Sequence, residues 1–458
     1  MQRDRVRTAV KAAYSLPAIA LAVVGVPIFF YLPAFYTDVV GLSPLVFGVI
    51  FLASRVFDGI ADPIMGTLSD RTRTRWGRRR PFILLGALPL AGAVLMVYTP
   101  PEFGPVGSAI WFGVSIFALY LGWTLVIVPY EALGPELSYD YEERLSVLGL
   151  REGAYIVGTI LAVGTPLLID HLLGDAGGPG NERRKYMWFA IAYTPLILLS
   201  CAICARVVEE RAPAESTAIT AGTARQVFKN RPFRVLLISF VVAALGNNLP
   251  AVLLPYYVTY YLGSDRIHEI LLTYFVLAVI CVPAWLWLGR RVGKKAAWLC
   301  AMALNTLAFF PIWFLPRGAE TAYWALVAIS GTAGGAVVVL PPTMLADVID
   351  YDELRFGMRR EGQYVGVWFV VRKLAAAVGA GVGLISLELA GYKANVEQPP
   401  HVLTTLCAFY VLVPVVFNLV SMALAVRFPI GRAEYNAIRE GIAARARGEP
   451  LPRDPLAP

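Results

Sequence analysis

Two carboxylates one helical turn apart, Asp58 and Asp62, stand within an apolar run in the stretch RVFDGIADPIMGTLSDRTRTRWGRRRP, from Arg55 to Pro81. At i, i+4 spacing their Cβ atoms lie on one helix face, about 5–6 Å apart. A charge at the centre of a membrane helix costs roughly 2.5–3.5 kcal/mol on insertion scales, and two anions this close repel unless a cation sits between them. Hard oxygen donors suit a monovalent ion or a proton. The pair is therefore a candidate cation site, with Na+ as the metal if a metal is bound. Arg55, one turn before Asp58, is a base able to compensate it. The alternative is a fixed ion-pair network that only packs helices.

The elements that must hold these acids follow from composition. Of 458 residues, 57% are hydrophobic and 16% charged, and the mean hydropathy is +0.62. Length alone would suggest several soluble domains, but these values point to an all-α polytopic membrane protein. Taking about 20 apolar residues per span, twelve spans are expected at 15–37, 44–68, 81–99, 107–134, 149–171, 187–207, 232–262, 267–289, 296–315, 322–347, 362–390 and 401–427. Basic residues crowd the loops after spans 2, 6, 8 and 10 and both tails, which places those loops and both termini in the cytoplasm. The stretch 173–186, with Arg183, Arg184 and Lys185, runs against that assignment.

The polar stretch EERAPAESTAITAGTARQVFKNRP divides six spans from six. The expected organisation is a tail at 1–14, a first half at 15–207, a linker at 208–231, a second half at 232–427 and a tail at 428–458. GTLSDRTRTRWGRRRP after span 2 is echoed by LGRRVGKK after span 8. Two repeated six-span halves suit alternating access, with the substrate bound between them near the membrane midplane. In the first basic loop Asp70 can pair with nearby arginines, while Gly66 and Gly77 permit close backbone approach. Asp347, Asp350, Asp352 and Glu353, beside Arg355, Arg359 and Arg360, form a matching set in the second half. Both sets read as gating latches.

Other chemistries find little support. Cys201, Cys204, Cys281, Cys300 and Cys407 lie in apolar runs, and His171, His268 and His401 are scattered, so neither a metal cluster nor a disulfide framework is expected. There is no phosphate loop. The net charge of +8 sits in short loops rather than in a nucleic-acid-binding arm, and the basic N-terminus leads into a full-length span without a signal-peptide cleavage site. No enzymatic activity, cofactor or nucleic-acid partner is expected. The partners expected are a small-molecule or lipid substrate and membrane lipids, for a monomer in a bacterial inner membrane.

Gly66, Asp70, Arg71, Arg75, Gly77, Arg78 and Arg79 resemble the loop motif after the second helix of the major facilitator superfamily. YTDVVGLS, DGIADPIMG, RWGRRRP, VPYEALGPE and ADVIDYDELRFGMRREG are similar, in that order, to the glycoside-pentoside-hexuronide cation symporters. This resemblance implies a Na+- or H+-coupled symporter of a glycoside or sugar-like solute. It places Asp58 and Asp62 on the coupling-cation carboxylates, Lys373 on the helix 11 lysine beside them, and Arg151 on a helix 5 arginine facing the cavity. Lys373, in VVRKLAAAVG, could neutralise the carboxylates once the cation leaves, or extend to the interface.

The chain departs from the melibiose permease, a member of that family, where acids of helices 1 and 4 fall on Ala22 and Ile127 and a sugar-stacking Trp falls on Glu131. With those departures it also resembles the sodium-dependent lysolipid carriers of animals, so a lysophospholipid is the alternative cargo. Tyr130, Glu131, Asn247, Asn248 and Trp368 complete the expected cavity. For Glu131 the alternative is the start of a cytoplasmic acidic segment, for the asparagines interhelical hydrogen bonding, and for Trp368 packing.

Overall fold

The computed structural model describes residues 6–138, 141–173, 179–210, 227–357, 360–450 and 454–456. Twelve helices among them are long and apolar enough to cross a membrane. In lipid the backbone must satisfy its own hydrogen bonds, and the helix does so within one segment. The first half comprises α1 (Thr8–Phe30), α2 (Pro44–Arg71), α3 (Arg80–Tyr98), α4 (Pro105–Leu133), α5 (Tyr141–Leu173) and α6 (Pro179–Val207). The second comprises α7 (Arg231–Tyr256), α8 (Ile267–Val292), α9 (Lys294–Phe309), α10 (Glu320–Phe356), α11 (Glu361–Leu389) and α12 (Pro400–Ala425). The polar helix α13 (Arg432–Ala446) follows.

The spans occur where hydropathy places them, but several helices run further. α10 has 37 residues and carries its charged segment DVIDYDELRF as helix. The basic stretch that ran against the topology is likewise helical. Arg183, Arg184 and Lys185 lie in the early turns of α6, and Lys185 is buried with Asp170 at 3.1 Å and Glu182 at 2.6 Å. A neutralised, buried lysine is not a topogenic loop charge. Most of the expected linker, and Arg359 of the second latch, lie outside the described residues.

The halves echo each other locally. The chain beyond α1 passes through a π turn at Phe35–Val39, and α7 continues into one at Tyr257–Leu262. Across the halves α2 packs on α11, α5 on α8 and α1 on α7. The apolar core is asymmetric. One cluster runs through the first half into the second-half residues remote from the basic loops, including Leu253, Val258, Leu384 and Leu403. A separate cluster, including Phe233, Trp298, Met344 and Tyr364, belongs to the second half alone and lies toward its basic loops. The halves thus share a core at one end and part at the other.

Candidate cation and substrate site

Asp58 stands midway along α2 and is fully buried. Lys373 reaches it from α11 of the other half, its Nζ 3.0 Å from Asp58 Oδ2 and 2.5 Å from Asp62 Oδ2. One ammonium therefore bridges both acids. Thr124 Oγ1 of α4 lies 3.0 Å from Asp58 Oδ1 and 3.1 Å from Asp62 Oδ1. The four residues draw carboxylate and hydroxyl oxygens around one position, and Asp62 and Lys373 remain 22% and 20% accessible. Both acids are thus paired, and water reaches the site at Asp62 and Lys373 but not at Asp58.

Arg55 plays a different part. Its Nη1 is 3.6 Å from Asp58 Oδ2, and its guanidinium sits 4.5 Å from the centroid of Phe29 and 4.4 Å from that of Tyr120. Ring faces stabilise a desolvated cation there by up to about 2 kcal/mol, so Arg55 is a fixed neighbour of Asp58. Lys373, partly accessible and carried by the other half, shares Asp58 Oδ2 with it and also reaches Asp62.

Toward the basic loops a polar cleft leads from this pair. Arg151 of α5 hydrogen-bonds Glu152 and lies 3.9 Å from Glu131 of α4. The side chains of Glu131 and Glu152 are 40% and 58% accessible although both sit within helices. Three residues expected in the cavity prove to be packing groups. Tyr130 is 1% exposed, stacks on Tyr14 at 4.9 Å and donates its hydroxyl to the Tyr14 carbonyl at 2.8 Å. Trp368 is buried against Phe240 at 4.1 Å. Asn248 donates to the Ala244 carbonyl at 2.7 Å in the α7–α11 seam, where a Cβ on Gly379 would lie 2.9 Å from it. Asn247 is half-buried beside it.

The gating residues form two separate locks. Arg78 contacts Glu136 at 2.5 Å, and Arg79 lies 2.8 Å from Glu136 and 3.2 Å from Asp70. Burial pulls the Arg79 guanidinium below its ordinary value, against the pull of Glu136 and Asp70. The loop itself is set by Glu210, which the sequence did not single out. Its carboxylate accepts the backbone N–H groups of Arg78, Arg79 and Arg80 at 2.8, 2.8 and 2.7 Å. Gly77, at φ +103°, admits it, since a Cβ there would lie 2.5 Å from Glu210 Oε1. Gly66 is half-buried, and Arg71 and Arg75 are exposed, with Arg75 over Trp76. In the second half Arg360 grips Asp352 at 2.6 and 2.8 Å, Tyr364 donates to the same carboxylate at 2.8 Å, and Lys294 pairs with Asp347 at 2.6 Å. Asp350 is buried nearby, and the Glu353 carbonyl accepts from Arg445. None of these contacts joins one half to the other.

The opposite end is tied across the halves. Asp38 of the first half accepts hydroxyls from Tyr260 at 2.8 Å and Tyr392 at 2.7 Å, and Asn395 donates to its carbonyl at 2.6 Å. Thr37 and Tyr256 share a hydrogen bond at 2.9 Å. Burial raises the Asp38 carboxyl above the ordinary range, while the Thr37, Tyr392 and Tyr260 hydroxyls pull it back.

Twelve spans, a cleft between two halves and a cation-type acid pair at its floor are features shared with membrane transporters. A family model described as MFS/sugar transport protein matches residues 13–432. The chain belongs to this family. A putative glycoside/cation symporter of Escherichia coli is 29% identical to the transporter over 96% of each chain. A sodium-dependent lysophosphatidylcholine symporter of Xenopus tropicalis is 24% identical, covering 92% of this chain and 87% of that one. Among solved structures, a D-xylose–proton symporter superposes with a TM-score of 0.67 over 92% of this chain and 97% of that one, at 13% identity. The structural likeness shows the major facilitator fold, and the chain is an integral inner-membrane protein.

Proposed function

We propose that the transporter couples a monovalent cation, bound by Asp58, Asp62 and Thr124, to movement of a polar organic solute held in the cleft between its halves. The observation that carries this reading is the single Lys373 ammonium bridging both acids from the opposite half. An entering Na+ or proton takes over the carboxylate charge and frees Lys373. That releases a tie between α2 and α11 and lets the halves, 15–207 and 232–427, rock about the solute. Solute and ion then strengthen one another's binding by the same factor. The basic loops face the cytoplasm, so the cleft opens inward and the Asp38 end is the closed outer gate. The solute crosses unchanged, and the working unit is one chain.

The charged cleft lining, with Glu131, Arg151 and Glu152, favours a sugar-like solute over a lysolipid tail, whose transfer into polar surroundings forfeits apolar burial. The test is uptake into proteoliposomes under imposed Na+ or pH gradients. Asp58→Asn and Asp62→Asn are expected to abolish concentrative uptake in a folded protein. Full uptake by both variants would sink the coupling site, and indifference to both gradients would leave a facilitator.

A further inference from the structure

The turn from α8 into α9 borders an opening that the coupling scheme leaves unused. Gly293, at φ +95°, lets α8 hand over to α9 within one residue. A cavity of about 160 Å³ lies against this turn and the start of α13, lined by Val292, Gly293, Lys294, Lys295, Leu299 and Arg432. That is roughly ten times the volume one water needs. A Cβ on Gly293 would meet nothing within 4 Å, so the cavity is open beside the turn.

Two of its bases have donors to spare. Lys295 Nζ donates to the Phe428 carbonyl at 2.8 Å, and Arg432 Nη1 to the Arg291 carbonyl at 3.1 Å. Among the described residues neither side chain makes another hydrogen bond or an ion pair, which leaves most of their N–H groups free. Lys294 is different, being held by Asp347 at 2.6 Å and by the Thr343 carbonyl at 3.2 Å. The acids that touch this set are Asp347 and Glu434, the latter bonded to the Gly431 N–H at 2.9 Å. Arg291, Lys294, Lys295 and Arg432 outnumber them, so the cavity is positive whether or not those acids are ionised.

The neighbouring side chains set its level in the membrane. Trp287 and Val292 are 56% and 51% exposed near the end of α8, and the Arg291 guanidinium lies 4.9 Å from the Trp287 ring. A tryptophan beside an arginine at a span end is the pattern of the headgroup layer, here that of the cytoplasmic leaflet. The cavity thus joins an apolar edge, Val292 and Leu299, to a basic one, Lys295 and Arg432. An amphiphile needs both.

We infer that this cavity is a binding site for the phosphodiester of an anionic phospholipid, held by Lys295 and Arg432 between the α8–α9 turn and the start of α13. Basic pockets at the cytoplasmic ends of membrane helices recognise such headgroups. A lipid seated there fastens α13, through Arg432, to α9, and steadies the basic end of the second half independently of cation and solute. A zwitterionic lipid brings its own ammonium and binds less tightly.

The test is a thermal-shift titration of the full chain in neutral detergent with phosphatidylglycerol, phosphatidylethanolamine or inorganic phosphate. A ligand of the folded state stabilises it by mass action. Phosphatidylglycerol is expected to raise the melting temperature, phosphatidylethanolamine to act several-fold more weakly, and phosphate to have no effect. Lys295→Gln and Arg432→Gln should each weaken phosphatidylglycerol about five-fold, and Lys295→Arg should keep it. Arg432 is exposed, so its variant should melt as wild type does without lipid. Arg73→Gln, which removes an exposed base of the first basic loop, should leave the lipid response unchanged.

No response to phosphatidylglycerol, an equal response to the two phospholipids, or equal stabilisation of wild type and Arg432→Gln overturns the site. A response to inorganic phosphate that matches the lipid's overturns the lipid as its source. If Arg73→Gln weakens the lipid as much as Arg432→Gln does, diffuse charge rather than this cavity attracts it, and the proposal fails.

Discussion

At the end remote from the basic loops, one first-half carboxylate, Asp38, is held by two second-half phenols, and the apolar core runs through both halves. At the basic end, the arginine–carboxylate contacts stay within a half, and the second half has a core of its own. The difference teaches how one bundle can favour opening on one side. Hydroxyl-to-carboxylate bonds between halves hold the end remote from the basic loops together, while each half's ionic lock keeps its own basic loop in shape without tying it to its neighbour. Between the two ends lies Lys373, a charged tie that does cross.

Removing that tie should have the largest effect. Lys373→Ala leaves two acids sharing a buried site without the ammonium that compensates them, and breaking such a pair costs about 3–5 kcal/mol. A cation no longer competes with the ammonium and recovers much of that loss. The melting temperature of Lys373→Ala should therefore depend far more steeply on Na+ or on pH than that of wild type, with an apparent ion affinity at least about ten-fold tighter, while uptake is lost. An unchanged ion response would show that Lys373 is not the competitor.

At the basic end, Glu210 is the organising group. A hydrogen bond to a charged partner contributes about 1.5–3 kcal/mol, and Glu210 accepts three backbone donors at the turn into α3. Glu210→Ala should loosen the loop 72–80, measured as faster trypsin cleavage within it, with Glu210→Asp intermediate. Because the loop's contacts lie within one half, outer-gate spacing should not change. At the outer end, Tyr392→Phe removes one hydroxyl from Asp38, and loss of roughly 1 kcal/mol should shift the gate several-fold toward open, as read by spin labels at Glu102→Cys and Asp265→Cys. If Tyr392→Phe leaves the distance distribution unchanged, the phenol does not hold the gate.

What the sequence disclosed followed the cost of burying charge. Asp58, Asp62 and Lys373 are legible because ionised residues in apolar runs demand partners, and the twelve spans because hydropathy reports what must face lipid. Thr124 was silent: a threonine in a span ordinarily bonds its own helix, and nothing nearby marks it as a partner of α2. Asp38 lay in plain view within YTDVVGLS, but an acid at a span end meets water in most folds, and only the approach of Tyr260 and Tyr392, more than two hundred residues away, gives it a role. Tyr130 and Trp368 were expected in the cavity because an amphipathic ring can face either a pocket or a helix. The choice depends on Tyr14 and Phe240, which local sequence does not bring together. Charged extensions of α5, α6 and α10 escaped hydropathy because they continue as helix beyond the apolar run.

The smallest expected effect separates the two ends by pH. In the closed outer gate, burial raises the Asp38 carboxyl above its ordinary value and the three hydroxyl donors only partly offset this. In an open gate the same group is hydrated and titrates near the ordinary carboxylate value, about 3.9. The closed form therefore binds the proton more tightly, and by linkage closure is favoured by acid. That contribution is full below the ordinary value and is lost as pH rises through the raised one. The Glu102–Asp265 spin-label distance should thus shift toward the open population as pH increases across this window, in a variant with the native cysteines replaced. Asp38→Asn keeps a neutral, hydrogen-bonding group and should remove the pH dependence without opening the gate at low pH. Labels on the first basic loop, whose contacts do not join the halves, serve as the control and should not follow this gate. If both ends respond in the same direction, the outer carboxylate is not governed by burial, and the contrast between a hydroxyl-held gate and ionic locks fails.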